Sequence, residues 1–252
     1  NSTFSNSATD GINIGINSSP EIQNCKIENN TRHGINCSFN TSDPAIADCD
    51  VSNNGEYAIV LFANTVPNLT GAINVYRNGT DEIKVYPEDI TTGTWLDHGV
   101  PYIMEMFVAD HIKIPDGEIL TLNPGVDLQF EDGKGMLIEG KLLAQGTSSE
   151  HITFTSSNPS PTPGIWVGLF FYYCDSGTIL EYCDISYGGN GYTWGGGSMG
   201  NQWGCVNINH CDANLTISNC TISNSQYDGI HIHSNSSTQI RNCILTNNAR
   251  YG

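Results

Sequence analysis

The feature that most constrains this chain is a short motif that returns every ~23 residues, a coil-length period. Asn24-Cys25-Lys26-Ile27-Glu28-Asn29-Asn30 leads to Gly34-Ile35-Asn36-Cys37, and one period earlier Asn1-Ser2-Thr3-Phe4-Ser5-Asn6-Ser7 leads to Gly11-Ile12-Asn13-Ile14. Near the other end, Asn219-Cys220-Thr221-Ile222-Ser223-Asn224 leads to Asp228-Gly229-Ile230-His231-Ile232, and Asn242-Cys243-Ile244-Leu245-Thr246-Asn247-Asn248 leads to Gly252. Each unit holds two short alternating segments, such as Cys-x-Ile and Ile-x-Ile, separated by Asn, Ser and Gly. Strands this short cannot stand alone as a sheet. They have to stack on their neighbours.

Stacked coils of this length, with short strands and Asn/Gly corners, describe an all-β parallel β-helix whose inward side chains form ladders. The spacing predicts one ladder of Ile12, Ile35 and Ala58 and another of Ile14, Cys37 and Val60. At this period, 252 residues make about eleven rungs. Asn suits the corners because it tolerates left-handed backbone angles and its amide bonds to nearby backbone. The chain holds 28 Asn and 27 Gly, whereas charged residues are only 14%. A helical bundle is excluded, since Asn and Gly are poor helix formers and Lys, Glu and Arg normally coat exposed helices. A β-sandwich would show closely spaced turns, one in every ~8–12 residues, without a coil-length period.

From Trp95 onward the rungs read Leu120-Thr121-Leu122-Asn123-Pro124-Gly125-Val126, Glu139-Gly140-Lys141-Leu142-Leu143-Ala144-Gln145-Gly146-Thr147, Ile152-Thr153-Phe154-Thr155-Ser156, Gly164-Ile165-Trp166-Val167-Gly168 and Leu180-Glu181-Tyr182-Cys183-Asp184-Ile185-Ser186-Tyr187-Gly188-Gly189. This run resembles the right-handed parallel β-helix repeat proteins, pectate-lyase-like solenoids, of bacterial and archaeal surfaces. The resemblance covers residues 95 to 190 and, through the terminal rungs, most of the chain. It implies an extracellular or cell-surface β-solenoid with an adhesive or structural role and no catalysis. Residues 1–65 read as rungs ending one module, 66–97 as an irregular junction, and 98–252 as the next module, with a Gly/aromatic loop near 187–204. Residues 1–34 match 219–252 at 19 of 34 positions, an offset of 218. That longer period predicts a tandem array forming a fibre, filament or sheath by self-association of modules or identical chains.

The net charge of -17 argues against nucleic acid, which is bound by clustered Lys and Arg. No apolar run approaches the ~18 residues of a membrane-spanning helix. The chain starts at Asn1 without a basic and apolar leader, so any leader has been removed or lies outside it. Sequons begin at Asn1, Asn17, Asn29, Asn36, Asn40, Asn68, Asn78, Asn214, Asn219 and Asn235, which fits a secreted glycoprotein. Nine cysteines lack the paired spacing of zinc ligands. They read as buried apolar residues, disulfide partners or links to another chain.

Parallel β-helices also carry polysaccharide lyases and hydrolases. Thr9-Asp10-Gly11-Ile12-Asn13-Ile14 resembles the start of a polygalacturonase active-site region, but Asn29-Asn30-Thr31-Arg32-His33 stands where that family has its further acidic pair. Asp10 and Asp228 therefore read as turn residues before Gly. A lyase needs a distinctive Arg or Lys base, and Arg32 and Arg250 occupy equivalent rung positions. No catalytic residue and no cofactor is expected. Asp127, Glu131 and Asp132 are near enough in sequence to suggest structural calcium, without a recognised calcium motif. His231 and His233 are two apart and so share a strand face, with Asn207 and Asn209 beside them. Two imidazoles begin a metal site, but the sequence offers no third ligand, and a solvated outer face is the expectation. Tyr187, Tyr192, Trp194 and Trp203 form an aromatic cluster suited to contact with a polysaccharide or another surface. A carbohydrate-active enzyme or a polysaccharide-binding module is the alternative to the structural reading.

Overall fold

The computed structural model describes residues 2–105, 112–190, 203–211 and 215–250. Nearly all regular structure is short parallel strand, with one 3-10 helix, Ala63–Asn68, among the described residues. The longest sheet stacks ten strands, from Ile12–Ile14 and Ile35–Cys37 through Tyr57–Phe62 and Thr80–Tyr86 to Thr221–Ser223 and Ile244–Thr246. In the C-terminal two thirds, a six-stranded sheet (Gly93–Trp95 to Thr238–Arg241) and a five-stranded sheet (Ile112–Ile114 to Asp228–Ile232) form the other two faces of each coil. In the N-terminal third a different five-stranded sheet, Ser2–Ser5 to Leu69–Tyr76, faces the ten-stranded one. The result is a parallel β-helix. Residues 66–97 supply Leu69–Tyr76, Thr80–Tyr86 and Gly93–Trp95 to this stack.

The turn count is about nine rather than the eleven expected, because the rungs are unequal. Ile12 stacks on Ile35 and Ile222 on Leu245, each at the short period, whereas Leu180 stacks on Ile217, an interval more than half as long again. The middle coils spend those extra residues in excursions between strands.

Inward ladders form because alternate residues of each strand point the same way. One column runs from Ile12 through Ile35, Ile59 and Ile83 to Ile222 and Leu245. The expected partner Ala58 is replaced by Ile59, and Val60 pairs with Asn36 instead of joining the Cys37 ladder. The turn after Cys37 carries one residue more than the turn after Ile14, so Ser18 is already matched one step later, to Ser42. Ile35, Ile59, Ile83 and Ile222 are fully buried, which stabilises the fold by about 1.5–3 kcal/mol per side chain. Aromatic rings fill the wider middle, where Phe130 stacks on Trp166 at 4.5 Å.

The corners are where the Asn content goes. Asn6, Asn29 and Asn53 each turn the chain with positive φ (61, 56 and 54). The residue after each of the last two corners points inward. Asn54 accepts from the backbone N–H of Asn30 at 3.2 Å and from its amide at 2.9 Å, then donates to Asn78 Oδ1 at 2.9 Å and to the Ile27 carbonyl at 3.2 Å. Asn78 and Asn248 repeat the pattern toward Val51 and Ile222. Side-chain amides thus satisfy backbone groups that a bend leaves without a strand partner.

Candidate functional site

Two polar clusters stand on outer faces. The first surrounds Lys84, which points out of strand Thr80–Tyr86 yet is only 8% exposed. Its ammonium is paired with Glu105 and lies over the ring of Tyr57 at 4.4 Å and near that of Tyr86 at 5.7 Å. One rung away, His33 Nε2 is 3.3 Å from Glu56 Oε2, and Arg32 lies 3.9 Å from Glu56 and 3.8 Å from Asp10. Burial lowers the Lys84 pKa, opposed by the charges of Glu131, Glu56 and Glu82. His33 is likewise lowered by burial against Asp10 and Glu56, and burial raises Glu82. The sequence reading missed Lys84, Glu105 and Glu56. The one signal was a lysine on the outward side of Ile83-Lys84-Val85 in a chain with only nine basic residues.

The second cluster lies on strand Asp228–Ile232. Asp228, 4% exposed, accepts from Arg250 Nε at 2.8 Å and from His231 Nδ1–H at 3.1 Å. Burial alone would raise its pKa, but the hydrogen bonds from Arg250 and His231 and their charges outweigh it and hold Asp228 below its ordinary value. An ionised carboxylate only accepts, so the proton between the pair sits on His231 Nδ1. Asp10 has the same role 218 residues earlier: it accepts from the amides of Asn13 and Asn36, each at 3.0 Å, and from the His33 backbone at 3.2 Å. Burial there is again outweighed by hydrogen bonds, leaving the pKa lowered. Asp10 stands just before Gly11 ahead of strand Ile12–Ile14, and Asp228, before Gly229, is itself the first residue of its strand.

The other sequence-derived residues are dispersed. Asp127 and Glu131 bracket strand Asp127–Phe130, about 13 Å of extended chain apart. Glu131 and Asp132 border one shallow depression and Asp127 another, beside Asp97, so the three carboxylates are not brought together. In the aromatic cluster, Tyr192 and Trp194 lie outside the described residues. Trp203 is not an exposed contact residue: it is 2% exposed and packs against Phe170 at a ring separation of 5.8 Å. Tyr187 is half-buried at a corner with φ 64, against the core. Among the described residues, the exposed aromatic of this region is Tyr173, which stacks on His210 at 4.7 Å.

Of the sequons, Asn1 and Asn214 lie outside the described residues; Asn17, Asn29, Asn40 and Asn235 are exposed, while Asn36, Asn68, Asn78 and Asn219 are half-buried. The amide of Asn36 is committed to Asp10, that of Asn68 to Asp43 and that of Asn78 to Val51 and Asp81. All nine cysteines are free thiols. Several of them stack on one another, as in Cys183 with Cys220, whose sulfur accepts the Cys183 backbone N–H at 3.4 Å.

No curated protein and no solved structure matches the chain. The family described as right handed beta helix region matches residues 1–90 and 109–252. With parallel coils stacked along that same length, the chain belongs to the right-handed β-helix family.

Proposed function

We propose that this chain is a structural or adhesive β-solenoid module of an extracellular surface protein, repeated in a tandem array. The observation that supports it most is the unbroken stacking of ten strands in one sheet, with inward ladders and corner amides that satisfy one rung from the next. Such a column is lengthened by adding coils and needs no change of design. The Lys84 cluster favours the same reading over turnover of acidic polysaccharides. Lys84 is already paired with Glu105, and Glu56, Glu82 and Glu131 surround it, so an anionic substrate would meet like charge. Electron microscopy of the full-length gene product tests the proposal: rods longer than this segment support it. Release of unsaturated or reducing ends from a panel of acidic polysaccharides would overturn it in favour of an enzyme.

A polysaccharide-binding role is favoured by one observation, the exposed Tyr173 stacked on His210 beside Tyr172. Flat aromatic faces of this kind bury large area at low entropy cost. Retention on immobilised polysaccharide that Tyr173→Ala abolishes, with no new chain ends formed, identifies that role.

A further inference from the structure

Three side chains outside the Lys84 cluster converge on the outer side of the C-terminal five-stranded sheet. His231 and His233 are two residues apart and their rings leave the same face, with centroids 6.1 Å apart. The strand below pairs Asn207 with His231, which sets Asn209 beside His233. These residues, with Phe170, Trp203 and Ile208, line a cavity of about 10 Å³, room for a single water molecule or ion.

Two buried atoms of that lining have no hydrogen-bond partner among the described residues: Asn209 Oδ1, on a side chain only 3% exposed, and His231 Nε2. Both are acceptors. His231 donates from Nδ1 to Asp228, so the neutral ring carries its lone pair on Nε2. Two buried acceptors without a donor are costly to keep unless something positive or protic sits between them.

The repeat separates what the rung needs from what was added. At the offset of 218, Asp228 and Arg250 correspond to Asp10 and Arg32, so the Asp–Arg pair belongs to the scaffold. His231 and His233 correspond to Asn13 and Gly15. Asn13 also donates to its aspartate, at 3.0 Å, so the coil closes without either imidazole.

We propose that His231, His233 and Asn209 hold a divalent transition-metal ion. Two imidazole nitrogens and an amide oxygen suit zinc, nickel or copper rather than calcium, which takes oxygen ligands. Asp228 supplies the carboxylate behind a metal-bound histidine, fixing its tautomer and ring orientation, and Arg250 donates to the same carboxylate. His233 is exposed, so the group of side chains has a solvent side. The site is independent of the scaffold reading and adds a specific ligand to it.

The test uses the untagged chain stripped by a chelator and titrated calorimetrically with Zn²⁺, and with Co²⁺ for its visible ligand-field bands. One equivalent is expected to bind, to raise Tm and to give bands of a nitrogen-ligated ion. The variant His231→Asn/His233→Gly restores the residues of the equivalent rung and so keeps the fold. Its affinity should fall by at least about 100-fold, and Asp228→Asn should weaken binding by roughly 10–100-fold. Asn209→Ala should weaken it as well. No stoichiometric binding by the parent chain overturns the proposal. So does undiminished binding by the double variant, which would put the ion on surface carboxylates.

Discussion

Asparagine does two different jobs in adjacent positions. Asn53 turns the corner with φ 54 and is exposed, whereas Asn54 is 2% exposed and joins three rungs through its amide. Asn54→Ala takes the side-chain acceptor from the buried Asn30 N–H and the amide donor from the Ile27 carbonyl, and should cost about 2–4 kcal/mol in urea denaturation. Asn53→Gly, free of the left-handed penalty, should stay within about 0.5 kcal/mol. Titration is visible at the same scale. His98 is lowered by burial, against a hydrogen bond to the Leu69 carbonyl and the Asp97 charge, and His33 is lowered by burial too. A histidine whose folded pKa lies below its unfolded 6.5 binds fewer protons folded than unfolded. Stability should therefore fall as pH drops below 6.5, and level off once the folded histidines themselves protonate. Thermal melts from about pH 7.5 to 5 should show this decline, and His98→Gln should make it shallower.

Within each rung, the glycine after a corner is set by packing rather than by backbone angle. A Cβ on Gly34 would meet Val51 Cγ1 at 2.4 Å and the Ala58 carbonyl oxygen at 2.6 Å. Gly34→Ala should thus cost about 2–4 kcal/mol in the same denaturation, in the range of other overpacked or strained core sites. The Gly-Ile pairs were legible in the sequence as corner signals, but the coil above that forbids a side chain was not. The same limit explains the register. Ile12 and Ile35 pair as the short period indicates, while one added residue after Cys37 moves Ile59 into the place expected for Ala58. Clusters were less legible still, because Arg32, Glu56, Lys84 and Glu105 come from successive rungs and meet only when those coils stack. The cysteines behave as core. Burial pushes the Cys205 thiol up to about 12 and also raises Cys37 and Cys49. Maleimide should label the native chain at no more than the half-buried Cys25 and Cys243, and all nine after unfolding, with the count read by mass spectrometry.

At the scale of the whole molecule, the longer sequence period does not return the chain to the same side. The column that begins at Ile12 takes eight turns to reach Ile222 in the ten-stranded sheet. The sequence counterpart of Ile12 is Ile230, which lies one face further on, in strand Asp228–Ile232 of the five-stranded sheet. Likewise Phe4 and Ile27 stack in the N-terminal five-stranded sheet, while their counterparts Ile222 and Leu245 extend the Ile12 column. One period is therefore eight turns plus one face of three. In the proposed array each module is turned by about a third of a revolution relative to the last and advances about 40 Å, at ~4.8 Å per coil. Three modules bring a given face back to the same side after about 120 Å. Image averages of the full-length rods should show both spacings, with any ion or antibody placed on His231 and His233 appearing on three sides in succession. The shorter of the two spacings seen without rotation would mean that the modules do not continue one solenoid, and the tandem reading would have to give way to separate β-helices joined by linkers.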